Sequence, residues 1–508
     1  MLCVHATAPL AAAPPHFNMA AHVLAEAERL ADKSALQILR PGGAERWSYG
    51  RLMAAVRGAG TGFLRAGLRP GDRLLLRLGN TPEFPVAFLG AIAVGIVPVP
   101  TSAQLTGPEI TKMAAQIDPA GVVAGAGVAL PEGARGVIPE EALRGFEALD
   151  PCDYAMGEPE RLAYIVFTSG TSGSPRAVMH AHRAIWARQM MHQGWYGLTE
   201  ADRLLHAGAF NWTYTLGTGL MDPWSVGATA LIPAPGVAAE QLPLLLKRVD
   251  ATIFAAAPGV YRQILKHHDT LALPRLRHGL SAGEAMPASL RARWNAASGT
   301  QIYEALGMSE CSTFISGAPS RPAPPGTMGY PQMGRQIAVL GPDLAPVARG
   351  APGELAVHRT DPGLFLGYWG AEAETAARFT PDGLWFRTGD MVTMAEDGAI
   401  TYLGRDDDMM NAGGFRVSPL EVEAVMAQAP GAGEVAAVEI PAGPEASVIA
   451  LAFTGPASPD SLAAHAAQHL ARYKQPRAFR PLPMLPRNPN GKIDRRALRA
   501  DWPALAPR

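Results

Sequence analysis

The run Thr168–Gly173 sets six hydroxyl residues or glycines side by side, within FTSGTSGSPRAV (Phe167 to Val178). Glycines let backbone N–H groups turn toward a ligand, and hydroxyls add further donors. Arg176 follows as a cation. Together these suit a triphosphate. The spacing is not that of the G-x-x-x-x-G-K-[ST] nucleotide loop. Composition alone leaves open an ordinary Gly/Ser surface loop.

Such a loop needs a framework, and the surrounding pattern supplies one. The apolar run Leu162–Phe167 predicts a strand before the loop, and a helical pattern follows around Ile185–His192. Further strands are predicted at Ala228–Ile232, Ala251–Ala256 and Gln301–Ala305. Helices are predicted at Glu240–Lys247, Val260–His267 and Ala288–Ala296. This alternation implies α/β layers with mostly parallel strands. From about Ile337 short runs between Gly, Pro and Asp turns predict a small β-rich subdomain. A new α+β pattern begins after Arg405, with helices at Pro419–Ala427 and Pro459–Ala471 and strands at Val435–Ile440 and Ser447–Phe453. The expected organisation is a flexible N-terminus (1–20), a large multi-subdomain N-terminal domain (21–405) and a smaller mobile C-terminal domain (406–508). The boundary falls in the acidic turn Asp406–Asp408.

The 508 residues exceed what one core needs. With 48% hydrophobic and 18% charged residues the composition is that of a globular protein. A net charge of −1 argues against nucleic acid as a partner. Cys3, Cys152 and Cys311 are too few and scattered for a disulfide framework or a structural zinc site, which fits a reducing, cytoplasmic setting. Phe84–Pro100 is short for a membrane span and reads better as a buried helix to about Ala93 followed by a strand, Ile96–Val99.

The loop resembles the phosphate loop of the adenylate-forming superfamily of acyl-CoA synthetases, luciferases and peptide-synthetase adenylation domains. That loop usually ends in Pro-Lys-Gly; here it reads Pro175-Arg176-Ala177. The resemblance continues in order along the chain. SAGEAMP (Ser281–Pro287) is similar to the adenine-pocket segment, with Gly283 and Glu284 at the matching positions. YEALGMSE (Tyr303–Glu310) is similar to the segment closing on adenine and phosphate. This implies nucleotide contacts at Glu304 and Ser309 and a magnesium ligand at Glu310. WFRTGD (Trp385–Asp390) and YLGRDDD (Tyr402–Asp408) imply ribose contacts at Asp390 and Arg405 and a hinge at Asp407. NAGGFRVSPLEVE (Asn411–Glu423) implies a coenzyme A tunnel at Gly413, Gly414, Phe415 and Arg416. PNGKIDR (Pro489–Arg495) implies a catalytic lysine, Lys492.

The catalytic set so implied is Lys492, Glu310, Thr168 and Arg176. The phosphates fall to Thr168, Ser169, Gly170, Thr171, Ser172 and Gly173. Elementary chemistry agrees. A carboxylate in a Thr-Gly-Asp turn can accept both hydrogen bonds of a ribose diol. Magnesium prefers carboxylate and phosphate oxygens. A lysine can stabilise charge as pyrophosphate leaves. Singly, Asp390 could cap a turn, Glu310 could be a solvated helix residue and Lys492 a tail cation. The implied reaction converts a carboxylic acid, ATP and CoA into an acyl-CoA through an acyl-adenylate, with Mg2+ as cofactor. A separate carrier protein is the alternative acceptor. The protein is expected to act as a monomer or homodimer.

Other signals carry less. Gly279–Gly283 fits the G-x-S-x-G elbow of serine hydrolases, but polar residues precede it and Pro287 separates it from the next helix. An inactive nucleotide sensor would not need Glu310, Asp390 and Lys492. No Cys/His cluster supports His180 and His182, which make a poor metal site. Cys311 reads as a small core residue. Within the superfamily the nearest likeness is to the benzoate-CoA ligase group. The acyl pocket is expected around Phe210, Trp212, Tyr214, Ala257, Ala282, Gly307 and Met308, with aromatic walls and room left by Gly307. An aromatic or alicyclic acid is expected first, a medium-chain acid second.

Overall fold

The computed structural model describes residues 1–168, 175–412, 415–442, 447–488 and 491–502, with the backbone alone at 407, 411, 412, 415 and 416. The chain forms two compact units. The larger comprises His5–Ile337 and Val357–Phe386; the smaller comprises Met1–Val4, Ala338–Ala356 and Arg387–Arg508.

The larger unit is built on a nine-stranded sheet. Its order is Tyr330–Pro331, Ser312–Ser316, Gln301–Met308, His278–Ala282, Ile253–Ala255, Arg203–His206, Thr229–Pro233, Ser34–Arg40 and Gly43–Ser48. The run from Gln301–Met308 to Ser34–Arg40 is parallel, with antiparallel pairs at both ends. Thr229–Pro233 and His278–Ala282 are buried along their whole length, as parallel strands covered on both faces must be. Helices Leu242–Arg248, Pro258–His267 and Ala288–Ser298 bury Leu245, Tyr261, Ile264, Leu290 and Trp294 in one cluster with Phe254 and Ile302. A four-stranded parallel sheet holds Arg73–Arg77 and Val97–Pro100, with helix Glu83–Ala93 buried throughout between them in sequence.

Strand Leu162–Thr168 does not lead directly to a helix. Arg176–Ala181 forms an antiparallel partner, with Thr168 opposite Arg176, and the first helix after it starts at Arg183. The glycine-rich loop therefore closes a β-hairpin. The second strand was hard to read because only Ala177-Val178-Met179 precede the histidines.

In the smaller unit, the sheet of Val4–Ala6, Gln336–Leu340, Pro352–His358, Trp385–Met394 and Ile400–Arg405 carries Asp390 opposite Arg405. A separate α+β body follows. Its strands Val435–Pro441 and Ser447–Phe453 are antiparallel, Ala478–Pro481 adds a parallel edge, and helices Pro419–Met426, Pro459–His469 and Arg495–Ala500 complete it. The expected boundary at Asp406–Asp408 is a short helical turn inside this unit. There the Ser418 hydroxyl donates to Leu403 O, and Arg499 pairs with Asp408 at 3.2 Å.

The N-terminal segment makes specific contacts with distant parts of the chain. Cys3 is fully buried; its N–H donates to Val347 O at 2.8 Å, and its carbonyl accepts from Val339 N at 3.0 Å. Asn18 caps helix Met19–Val23 and donates to Ile92 O and Ala155 O, both at 3.0 Å. These partners lie far away in sequence, so no local periodicity announces them.

Candidate functional site

In the larger unit the site grows from the turn between strands Gln301–Met308 and Ser312–Ser316. Glu310 sits in this turn, 8% exposed, and its Oε1 accepts from the Tyr368 hydroxyl at 2.7 Å. Among the described residues Oε2 makes no hydrogen bond. A single carboxylate held in this way suits magnesium, which takes one or two carboxylates and completes its shell with phosphate oxygens and water. Arg176 lies 5.4 Å from the Tyr368 ring centroid and pairs with Glu374. Its charge is thus shared with a carboxylate of the protein. Ser309, partly buried, precedes Glu310.

Glu304 is 6% exposed and accepts from Met286 N at 2.8 Å and from Arg291 at 2.6 Å. Burial pushes its carboxyl up, opposed by Arg291. Its geometry ties down the Gly283–Met286 segment and leaves it committed to protein partners. Gly283 adopts φ +91°, a left-handed conformation that favours glycine.

The expected acyl-pocket residues divide. Tyr214 donates to Leu280 O at 3.2 Å, with its ring 4.3 Å from His206 and 5.8 Å from Trp195. Ala282 ends a buried strand beside it, and Ala257 precedes helix Pro258–His267. Met308 is partly buried at the end of its strand. Trp212 is 38% exposed, whereas Phe210 packs 5.1 Å from Phe84 in the core. Gly307 is not an open position. A Cβ there would lie 2.4 Å from Ser312 O and 2.6 Å from Thr313 Cα, at the register shift between the two strands. Glycine is required so that the strands can approach, and the expected room does not exist.

The smaller unit carries the sugar-binding candidates. Asp390 is 5% exposed and accepts from the Tyr402 hydroxyl and from Arg405 Nη1, each at 3.2 Å. Arg405 also donates to Thr388 O at 2.8 Å. Gly389 turns with φ +76°, and its missing Cβ is what admits the guanidinium. Lys492 sits on an exposed turn; its backbone N–H donates to Asn488 Oδ1 at 3.0 Å. Ser169, Gly170, Thr171, Ser172, Gly173, Gly413 and Gly414 lie outside the described residues, as do the side chains of Asp407, Phe415 and Arg416.

The discounted signals find ordinary explanations. Ser281 is fully buried inside its strand, and the next helix starts only at Ala288. His182 Nδ1 accepts from Met19 N at 3.0 Å. No cluster of three metal-ligating side chains occurs among the described residues. Burial raises the Cys311 thiol above its usual range.

Sequence reasoning missed a buried polar network. Arg188 donates from Nε and Nη2 to the two oxygens of Asp222, at 2.7 and 2.6 Å, and Tyr196 donates to Asp222 at 2.7 Å. Thr218 lies 2.9 Å from the Tyr196 hydroxyl. Thr218 belongs to Thr215–Met221, a stretch of wide i to i+5 helical turns of a kind frequent at functional sites. The available signal was charge inside apolar surroundings, in AIWARQMM and GLMDPW.

Comparisons with known proteins identify the family. The AMP-binding enzyme family model matches residues 23–369, and the AMP-binding enzyme C-terminal domain model matches residues 421–492. The 3-hydroxybenzoate–CoA ligase of Aromatoleum sp. (strain CIB) is 30% identical, covering 93% of this chain and 94% of that protein. The benzoate–CoA ligase of Thauera aromatica is also 30% identical, over 89% of this chain and 90% of that one. A crystal structure of a benzoate CoA ligase from Burkholderia xenovorans LB400 superposes with a TM-score of 0.82 at 28% identity. It covers 95% of this chain and all of that one (100%). With the family model matching residues 23–369, the stretch that includes Thr168, Arg176 and the Glu310 turn, the chain belongs to the AMP-binding enzyme family.

Proposed function

We propose that this protein is an ATP-dependent aromatic acid–CoA ligase. The observation that carries this is the pair of relatives named for benzoate and 3-hydroxybenzoate, matched along about nine-tenths of both chains. In the first half-reaction an oxygen of the acid attacks the α-phosphorus of ATP, and the bond to pyrophosphate breaks. In the second the CoA thiol, losing its proton, attacks the acyl carbon and AMP leaves. Free CoA is the acceptor favoured by these relatives over a carrier protein.

The assignment of residues is part of the proposal. Asp390 and Arg405 hold the ribose, supported by their mutual pairing at 3.2 Å. Gly283 and Glu284 border the adenine, and Glu304 positions their segment. Thr168 through Gly173 and Ser309 contact the phosphates. Glu310 would hold magnesium, which supplies charge neutralisation at the phosphates when bound. Lys492 brings a cation to the α-phosphate for adenylation. Gly413, Gly414, Phe415 and Arg416 face the second half-reaction as the CoA passage, after rotation about Asp407. Among the described residues no helix is long and apolar enough to cross a membrane. A cytoplasmic setting completes the proposal, consistent with three unpaired cysteines.

The test is pyrophosphate release against a panel of carboxylic acids, with and without CoA. Release should depend on an aromatic acid, and AMP turnover should require CoA. Release with alkyl acids alone would overturn the substrate class.

A further inference from the structure

A narrow cavity in the larger unit is lined by Tyr164, His180, Arg188, Thr213, Ser309 and Ser312. It has space for about one water molecule or one hydroxyl group. Thr213 precedes Tyr214, and Ser309 follows Met308, so the cavity shares two chain segments with the proposed acyl pocket.

Its walls hold more hydrogen-bonding capacity than the described residues use. His180 is 3% exposed, and among the described residues its ring nitrogens make no well-formed hydrogen bond, only a weak interaction with the Ser309 backbone. The ring is stacked on Tyr164, with centroids 4.8 Å apart. Burial lowers the imidazole to about 4, so at neutral pH it offers one donor and one acceptor. Arg188 is pinned on one side by Asp222. A Cβ on Gly217 would lie 2.2 Å from the guanidinium carbon, so this glycine makes room for the group. The remaining nitrogen, Nη1, points to the Ser312 hydroxyl. Ser312 is held at φ +63°, a strained backbone for a residue with a side chain and a frequent mark of functional positions.

We infer that this cavity receives a neutral hydroxyl or amino substituent on the ring of the acid, making Arg188, His180 and Ser312 determinants of specificity. The inference rests on the aromatic acid–CoA ligase reading. A hydroxyl can accept from Arg188 and donate to the imidazole. A second carboxylate is unsuited, because Asp222 already neutralises Arg188 and a further negative charge would be buried without a partner. An unsubstituted ring leaves the donors unpaired, the situation in which a polar site discriminates strongly.

The experiment measures kcat/KM by pyrophosphate release for benzoate, the hydroxybenzoate and aminobenzoate isomers, and the benzene dicarboxylates. At least one hydroxy or amino isomer should exceed benzoate by about 100-fold or more, with the dicarboxylates poorest. The double variant Arg188→Met/Asp222→Leu removes the pair together, so no lone charge is left buried. It should reduce that ratio by about tenfold or more. His180→Phe and Ser312→Ala should reduce it less, and melting temperatures would confirm that each variant is folded. Equal or better use of benzoate by the wild type overturns the inference. So does an unchanged ratio in the double variant and in His180→Phe. Should no aromatic acid release pyrophosphate, the proposed function itself fails; turnover of benzoate without discrimination defeats only the polar subsite.

Discussion

Arg188 in the larger unit and Lys492 in the smaller are both cations assigned to substrate, yet they are held in opposite ways. Arg188 is 5% exposed and bound through two nitrogens to a fully buried carboxylate. Among the described residues, Lys492 stands on an exposed turn tied through its backbone to Asn488. A buried pair cannot be moved without exposing an uncompensated charge, so it suits the fixed recognition of one group. An exposed lysine on a turn suits a charge that is brought to the reaction and withdrawn. The comparison teaches that burial records permanence, while exposure permits alternation between two half-reactions.

The largest expected effect is on stability. Asp222→Ala should cost about 3–5 kcal/mol, because Arg188 stays buried without its partner. Lys492→Ala should change stability by about 0.5 kcal/mol or less, as for an ordinary surface substitution. Denaturant titration of both variants checks this, and similar losses in the two would erase the contrast.

The next concerns rate. Lys492→Ala should lower adenylate formation about 100-fold or more while still converting supplied acyl-adenylate to acyl-CoA. Gly414→Leu should do the reverse, and Asp407→Pro should slow mainly thioester formation by restricting φ. Single-turnover measurement of each half-reaction decides. Equal loss of both halves in Lys492→Ala and Gly414→Leu would exclude alternation.

Gly307 sharpens the comparison from the side of packing. Since a Cβ meets backbone at 2.4 Å, Gly307→Ala should cost about 1–3 kcal/mol and depress turnover of every acid alike. A selective gain for small acids with unchanged stability would restore the pocket-wall reading.

Protonation tests the fixed interior. His180 is lowered to about 4 and His206 to about 3, both by burial, from an ordinary value near 6.5. The unfolded chain binds these protons more readily, so stability is complete above about pH 6.5. It should fall as pH drops through 6 and 5 toward 4. Unfolding free energies at pH 7, 6 and 5 measure the slope, and His206→Phe should make it shallower.

The smallest effect is expected at the phosphate loop. Arg176→Ala should raise the KM for ATP only a few-fold, since its guanidinium is partly exposed and shared with Glu374, and a solvent-screened charge contributes about 0–1 kcal/mol. Arg176→Lys should be milder still. An unaltered KM in the alanine variant would remove Arg176 from the ATP site.

Much of the fold was legible without coordinates because it is written in short segments. The Glu310 segment and the alternating strands and helices each depend on neighbours within a few residues, whereas the expected Thr388–Asp390 turn is part of the strand Trp385–Met394. Local propensity and spacing determine them. The C-terminal helices and strands were legible for the same reason. What tertiary structure alone decided comes from contacts between distant segments. Cys3 donates its backbone N–H to Val347 O, Tyr368 steadies Glu310, and Asp222 neutralises Arg188 across 34 residues. Gly307 shows the limit most directly. The sequence names the residue that lacks a side chain. Whether that absence leaves a space or is already filled by another strand depends on what packs against it, and here Ser312 and Thr313 occupy the place.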